Sequence, residues 1–90
     1  MYSYSKVRGK VFTESGQVMF LAIRDHVKRL LQEAGAVTMG AAMRGAKSGD
    51  AWVMMACVDR MVELDELREV KQAHEVAGQH RVFVAGACST

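Results

Sequence analysis

The chain has 90 residues, of which 50% are hydrophobic and 24% are charged, and it contains no proline. One domain of this length can bury a modest core. The composition excludes a disordered chain, which would combine low hydrophobicity with a high net charge. No apolar run approaches the length of a membrane span, and the opening residues MYSYSKVRGK have no apolar stretch for a signal peptide. We therefore expect one cytoplasmic domain without a membrane segment.

Charge is divided unevenly between the two halves of the chain. Residues 1–47 hold eight lysine and arginine residues against three acids, a net charge of +5, whereas residues 48–90 hold four against seven, a net charge of −3. The overall charge of +2 does not decide between nucleic acid and protein as the partner. Two cysteines, Cys57 and Cys88, are too few for a disulfide framework and fit a reducing compartment.

The first segment, residues 1–14, reads as a basic N-terminal arm. Its first twelve positions carry three basic and three aromatic residues, and we expect an extended conformation with strand-like character at Val11 and Phe12. Two interpretations stay open. The arm either reaches a phosphate backbone, or it is a frayed terminus with one end packed against the core.

The clearest helix is predicted over residues 15–34, with Ser15 or Thr13 as its N-cap and Gly35 in the left-handed position after its end. Its apolar residues recur at spacings of three and four, as one face of a helix requires; they are Phe20, Ile23, Val27, Leu30 and Ala34. This pattern predicts an amphipathic helix with one face on the core.

A short extended connection over residues 36–38 follows, and Thr38 is expected to cap a brief helix at about 39–46. Asp50 is expected to cap a third helix that runs to about Leu64. The inner face of this helix is predicted to carry Met54, Cys57, Val58 and Met61. Asp65 stands where the chain leaves the helix, and aspartate tolerates left-handed backbone better than most residues.

Two strands are predicted near the end of the chain, over residues 67–72 (LREVKQ) and 79–84 (QHRVFV). Val82 and Val84 alternate at the period of a strand. Gly78 permits a tight reversal between the two strands, so we expect an antiparallel hairpin. Residues 86–90 are predicted to form a C-terminal tail.

The order of these elements resembles a winged helix-turn-helix domain over residues 15–85. Three segments carry the resemblance: AGAVTMGAAMRGA, similar to the first strand and positioning helix; ACVDRMVELDELREV, similar to the end of the recognition helix; and QHRVFVAG, similar to the return strand of the wing. The resemblance implies a small α+β fold with three helices followed by a two-stranded β-hairpin wing. Asp65 stands where the family has glycine.

The resemblance implies that the protein binds double-stranded DNA as a small transcriptional regulator, with its third helix in the major groove and its wing on the backbone. Base contacts are expected from Ser48, Trp52 and Met55. Phosphate contacts are expected from basic side chains, namely Arg44, Lys47, Arg60, Lys71, His80 and Arg81. A homodimer is expected because one domain covers only a short half-site.

The alternative is a winged helix that binds another protein instead of DNA. If Trp52 and Met55 are exposed beside Val53, they form an apolar patch of the kind that marks protein interfaces. The acidic second half of the chain fits the same alternative. A simpler interpretation is that Trp52 folds back onto the core and is not exposed.

The sequence predicts neither an enzyme nor a cofactor. The three histidines and two cysteines form none of the usual metal-binding pairs, and His74 with His80 would lack a third ligand. Cys57 has apolar helical neighbours, as inert buried thiols do. The glycines are not arranged as a phosphate-binding loop.

Overall fold

A computed structural model describes residues 1–70 and 80–88, and the predicted α+β class is confirmed. Among these residues, four α-helices occur: α1 (Tyr4–Val7), α2 (Glu14–Ala34), α3 (Met39–Met43) and α4 (Ala51–Glu63). A 3₁₀ helix (Arg8–Phe12) joins α1 to α2. Three strands, β1 (Ala36–Thr38), β2 (Leu67–Glu69) and β3 (Val82–Ala85), form one antiparallel sheet. Within the described part of the chain, no helix is both long and apolar enough to cross a membrane.

Helix α2 begins and ends where the sequence predicts its caps. The Thr13 hydroxyl accepts a hydrogen bond from the Gly16 amide at 3.1 Å. At the other end, Gly35 takes a left-handed conformation with φ 78°, and its amide donates to the Leu31 carbonyl. The buried residues of the predicted stripe are Phe20, Ile23 and Val27. Ala34, the last residue of the predicted stripe, is exposed.

Helices α3 and α4 also carry the predicted caps. The Thr38 hydroxyl accepts from the Ala41 amide at 3.1 Å, and the Asp50 carboxylate accepts from the Trp52 amide at 2.7 Å. The left-handed exit from α4 is confirmed as well, since Asp65 has φ 62°. Helix α3 ends at residue 43, three residues before the predicted end.

The sheet has the strand order β1–β3–β2. Phe83 lies opposite Val37 on one side and Glu69 on the other, while Leu67 lies opposite Ala85. Because alternate residues of a strand share a face, the buried Val37, Leu67 and Phe83 all point toward the helices.

The predicted antiparallel hairpin is confirmed as the pair β2–β3, with shorter strands than expected. The two-stranded wing is an incomplete description, because the connection at residues 36–38 pairs with β3 as a third strand. Residues 71–79, which contain Lys71, His74 and the predicted turn at Gly78, lie outside the described residues, as do residues 89 and 90.

The prediction of an extended N-terminal arm is wrong, because α1 and the 3₁₀ helix occupy these positions. Val7 and Val11 are buried in the core. With Tyr4 they are spaced by three and four residues, which is the period of a helix. Basic residues alternate with this short apolar stripe and make the segment resemble a charged arm.

Candidate nucleic-acid interface

Helix α4, the predicted reading helix, is covered on two sides. Its inner side carries the buried Cys57, Val58 and Met61. Ala56 points about 160° away from Val58 around the helix axis, and yet it is also fully buried. Asp59 and Glu63 lie on the same face of the helix as Ala56. The contacts of these two carboxylates therefore show which residues pack on the outer side of α4.

The residues that cover the outer side of α4 come from the beginning of the chain. The Tyr2 hydroxyl donates to Asp59 Oδ2 at 2.6 Å, and the Tyr2 ring meets the Trp52 ring edge-on with centroids 6.4 Å apart. The Tyr4 hydroxyl donates to Glu63 Oε1 at 2.7 Å. The first turns of the chain therefore lie along the face that a reading helix would offer to DNA.

Glu63 is the centre of a second set of contacts. Besides Tyr4, it accepts from Arg60 at 2.8 Å and from Arg8 at 3.0 Å. The hydrogen bonds from Tyr4, Arg60 and Arg8 lower the pKa of Glu63 to about 2. Burial and the bond to Glu63 raise the pKa of Tyr4 to about 12. Both guanidinium groups also lie over the Phe12 ring, with Arg8 Cζ 4.8 Å and Arg60 Cζ 5.0 Å from the ring centroid.

Arg81 connects β3 to α4 and β2. Its Nη2 lies 2.8 Å from Asp59 Oδ1 and 2.7 Å from Glu69 Oε1, and its guanidinium lies over the Phe83 ring. The bond to Glu69 is the main reason why the pKa of Arg81 is raised, and the same bond lowers the pKa of Glu69. Two predicted phosphate contacts, Arg81 and Arg60, are thus engaged with carboxylates of the same chain.

The turn between α3 and α4 has a different character. Arg44, Lys47 and Ser48 are all exposed there. Within residues 1–70 and 80–88, the ion pairs of the chain engage neither Arg44 nor Lys47. Their charges are therefore open to an outside partner, directly before the first turn of α4.

Two depressions flank this turn. One, of about 350 Å³, brings Arg44 together with His80 and with Thr38 at the start of α3. The other, of about 600 Å³, brings Ser48 together with Lys10 of the 3₁₀ helix. Lys10 therefore belongs to this surface, although its position in the sequence does not indicate this. The proximity of Lys10 to Ser48 depends on the helical conformation of residues 4–12, where an extended arm was predicted.

The apolar patch predicted at the beginning of α4 is smaller than expected, because only one of its three residues is largely exposed. Trp52 is 46% exposed, so the interpretation that it folds fully onto the core is wrong. Met55 and Val53, however, are partly buried and pack against the core. The Asp50 carboxylate is turned toward the helix amides as a cap, so its charge is directed to α4 itself.

The geometry suits a contact with an anion-bearing surface more than it suits catalysis. Exposed cations can neutralise phosphates, and a hydroxyl or an indole can reach base edges. Cys57 is buried, and burial raises the pKa of its thiol to about 11.

Comparisons of the chain with protein-family models, curated proteins and solved structures found no match, so function is inferred from the chain's own geometry.

Proposed function

We propose that this chain binds double-stranded DNA as a small winged helix-turn-helix regulator that acts as a homodimer. The order α2, β1, α3, α4, β2, β3 supports the proposal, because it is the order of elements on which the resemblance depends. The sheet adds to this support. The Met39 amide at the start of α3 donates to the Arg81 carbonyl at 2.7 Å and holds the hairpin beside α3, and His80 lines a depression together with Arg44.

The observation that carries the proposal is the α3–α4 turn itself. In a helix-turn-helix, the beginning of the second helix meets the base edges while nearby groups hold the phosphates. Here Arg44 and Lys47 are exposed without an ion pair among the described residues, and they come directly before α4. Ser48 can hydrogen-bond to a base or a phosphate, and Trp52 can contact a thymine methyl.

The proposed set of contacts is narrower than the one predicted from the sequence. Arg44, Lys47 and His80 remain as phosphate contacts, and Lys10 joins them because it lies across a depression from Ser48. Arg60 and Arg81 are left out because both are engaged with carboxylates of the chain. Arg60 shares Glu63 with Arg8, and moving Arg81 to a phosphate would take from Glu69 its ion-pair partner among the described residues. Met55 contributes less than predicted because it is partly buried.

Fluorescence anisotropy of a labelled mixed-sequence duplex tests this proposal. We expect binding at about 50 mM salt that falls steeply by about 200 mM, because bound cations release counterions from the DNA. The double variant Arg44→Ala/Lys47→Ala should weaken binding to every sequence and lower the salt slope by about 2.

Arg29→Ala is the matched control for loss of a positive charge. Arg29 is exposed on α2, about 160° around the helix from the buried Val27, and so faces away from the core. We expect this variant to keep nearly the wild-type salt slope. Absence of wild-type binding at about 50 mM salt, or an equal loss in both variants, would contradict the proposal.

Binding to another protein is the second candidate function, and the half-exposed Trp52 favours it. Tryptophan is enriched among the residues that contribute most of the binding energy at protein interfaces. Under this candidate, the wild-type chain captures a protein partner with little dependence on salt, and Trp52→Ala abolishes the capture. Arg44→Ala/Lys47→Ala would then leave the capture unchanged, which is the opposite of the result expected for DNA.

A further inference from the structure

The cover over α4 consists of two parts that are held very differently. Val7 and Val11 are buried in the core, at 6% and 0% exposure, so the chain is fixed from residue 7 onward. Before that point, residues 1–6 are held by two tyrosine hydroxyls, one edge-on ring contact and the partial packing of Tyr2 and Tyr4 against the core. We call residues 1–6 the strap.

We infer that the strap is an autoinhibitory element that must leave α4 before this helix can enter the major groove. The inference rests on the proposed DNA binding. The major groove is about 12 Å wide and admits one α-helix, whose diameter with side chains is about 10–12 Å. A helix that carries Tyr2 and Tyr4 on its outer face is too thick for that space.

The strap can leave without exposing a charge that lacks a partner. When Tyr2 departs, Asp59 keeps Arg81 as its ion-pair partner at 2.8 Å. When Tyr4 departs, Glu63 keeps Arg8 and Arg60. Carboxylates that would repel DNA therefore stay neutralised when the face opens, and none of these three arginines belongs to the strap.

Leaving removes no fully buried side chain, because Tyr2 and Tyr4 are only partly buried where they pack against the core. Ser3 accepts the backbone bonds from the amides of residues 6 and 7 through its carbonyl, so this single helical turn can unwind with Val7 as the fixed end. The open state uncovers the part of Trp52 that the Tyr2 ring contacts and gives Lys6 freedom to reach a phosphate. A closed strap lowers the apparent affinity by the fraction of molecules that are open.

Tyr2→Ala/Tyr4→Ala in the full chain is the decisive variant. It removes both hydroxyl anchors and the ring on Trp52, and we expect its affinity for the mixed-sequence duplex to rise at least about fivefold. Ser5→Ala is the matched control in the same segment, because the Ser5 hydroxyl meets only Ser3 among the described contacts. Thermal unfolding of each variant shows whether the fold is kept.

Hydrogen exchange of the wild-type chain gives a second measurement that needs no substitution. On addition of DNA, we expect the amides of residues 6 and 7 to exchange faster, because their bonds to the Ser3 carbonyl open, while the amides of α4 become protected. The same amides should exchange faster in free Tyr2→Ala/Tyr4→Ala than in free wild type.

The outcomes separate the strap from the proposed function. DNA binding by wild type with equal or weaker binding by the tyrosine variant, in a folded chain, overturns the strap and leaves the function standing. Protection of residues 6 and 7 in the DNA complex overturns it as well. Absence of binding by wild type at about 50 mM salt overturns the proposed function, and absence of binding by both chains overturns the strap with it.

Discussion

The guanidinium of Arg81 and the carboxylate of Asp59 lie 2.8 Å apart and join the hairpin to the outer face of α4. Both side chains are mostly buried, at 21% and 11% exposure. Tyr2 donates to the same carboxylate, so the beginning of the chain, α4 and β3 meet at one point. This meeting point explains why a residue predicted to hold phosphate is occupied within the fold.

Replacement of Arg81 by alanine is expected to lower the free energy of unfolding by about 2 kcal/mol, because Asp59 and Glu69 lose a partner that is largely shielded from water. Urea unfolding measures the loss. Arg68→Ala removes an exposed arginine from β2 and should change stability by less than about 0.5 kcal/mol. Equal effects of the two substitutions would contradict a structural role for Arg81.

Gly16→Ala is expected to destabilise the chain by about 2–3 kcal/mol. A Cβ at this position would collide with the Lys10 carbonyl oxygen and would lie 2.7 Å from the Val11 carbonyl oxygen. Backbone atoms of the 3₁₀ helix have no rotamer by which to move aside. The same substitution at Gly9, where a Cβ meets nothing within 4 Å, should be tolerated. Thermal unfolding of the two variants, with Gly9→Ala as control, checks the prediction.

Local signals account for what the sequence predicts well. Thr13, Thr38 and Asp50 are short polar residues that stand directly before a helix and cap it. Each capping bond joins residues no more than three positions apart in the chain. Such bonds need no knowledge of the tertiary fold. The left-handed backbone at Asp65 and Gly35 is also predictable, because it depends on the local tolerance of aspartate and glycine for positive φ.

Contacts between distant segments account for what the sequence did not predict. Tyr2 and Asp59 are 57 residues apart, and nothing near either residue indicates the other. The pairing of β1 with β3 is likewise non-local. From the sequence, Arg81 is predicted to be a free cation on the hairpin, whereas the structure pairs it with Asp59. Lys10 is predicted to lie in an arm far from Ser48, whereas both residues line one depression.

Asp65→Gly is expected to raise the free energy of unfolding by about 1 kcal/mol. Asp65 adopts φ 62° at the exit of α4. In this conformation the Cβ atom of any residue except glycine comes too close to the following carbonyl oxygen. Asp65→Ala is the companion variant and should lower stability, since alanine lacks the local tolerance of aspartate for this backbone. Urea unfolding of both variants decides the matter, because the reverse order of stabilities is incompatible with a left-handed exit.

The stability of the chain is expected to fall in acid between about pH 4.5 and about pH 2, partly through Glu63. Hydrogen bonds from Tyr4, Arg60 and Arg8 lower its pKa from 4.5 to about 2, so the folded chain prefers the ionised form. A carboxylate with a lowered pKa in the folded state stabilises the fold above its unfolded pKa, and this contribution is lost as the pH falls. Bonds to arginine also lower the pKa values of Glu66 and Glu69, with the same sign.

Glu63→Gln should therefore make the fall in acid shallower while lowering stability at pH 7. The urea midpoints of wild type and variant, measured from pH 7 to pH 2, are expected to approach each other toward pH 2, where Glu63 is protonated in the unfolded chain and becomes protonated in the folded chain. Glu33→Gln serves as the control, because Glu33 is an exposed carboxylate near the end of α2 and should leave the profile unchanged. A constant difference between Glu63→Gln and wild type at every pH would show that the Glu63 contacts do not depend on its charge.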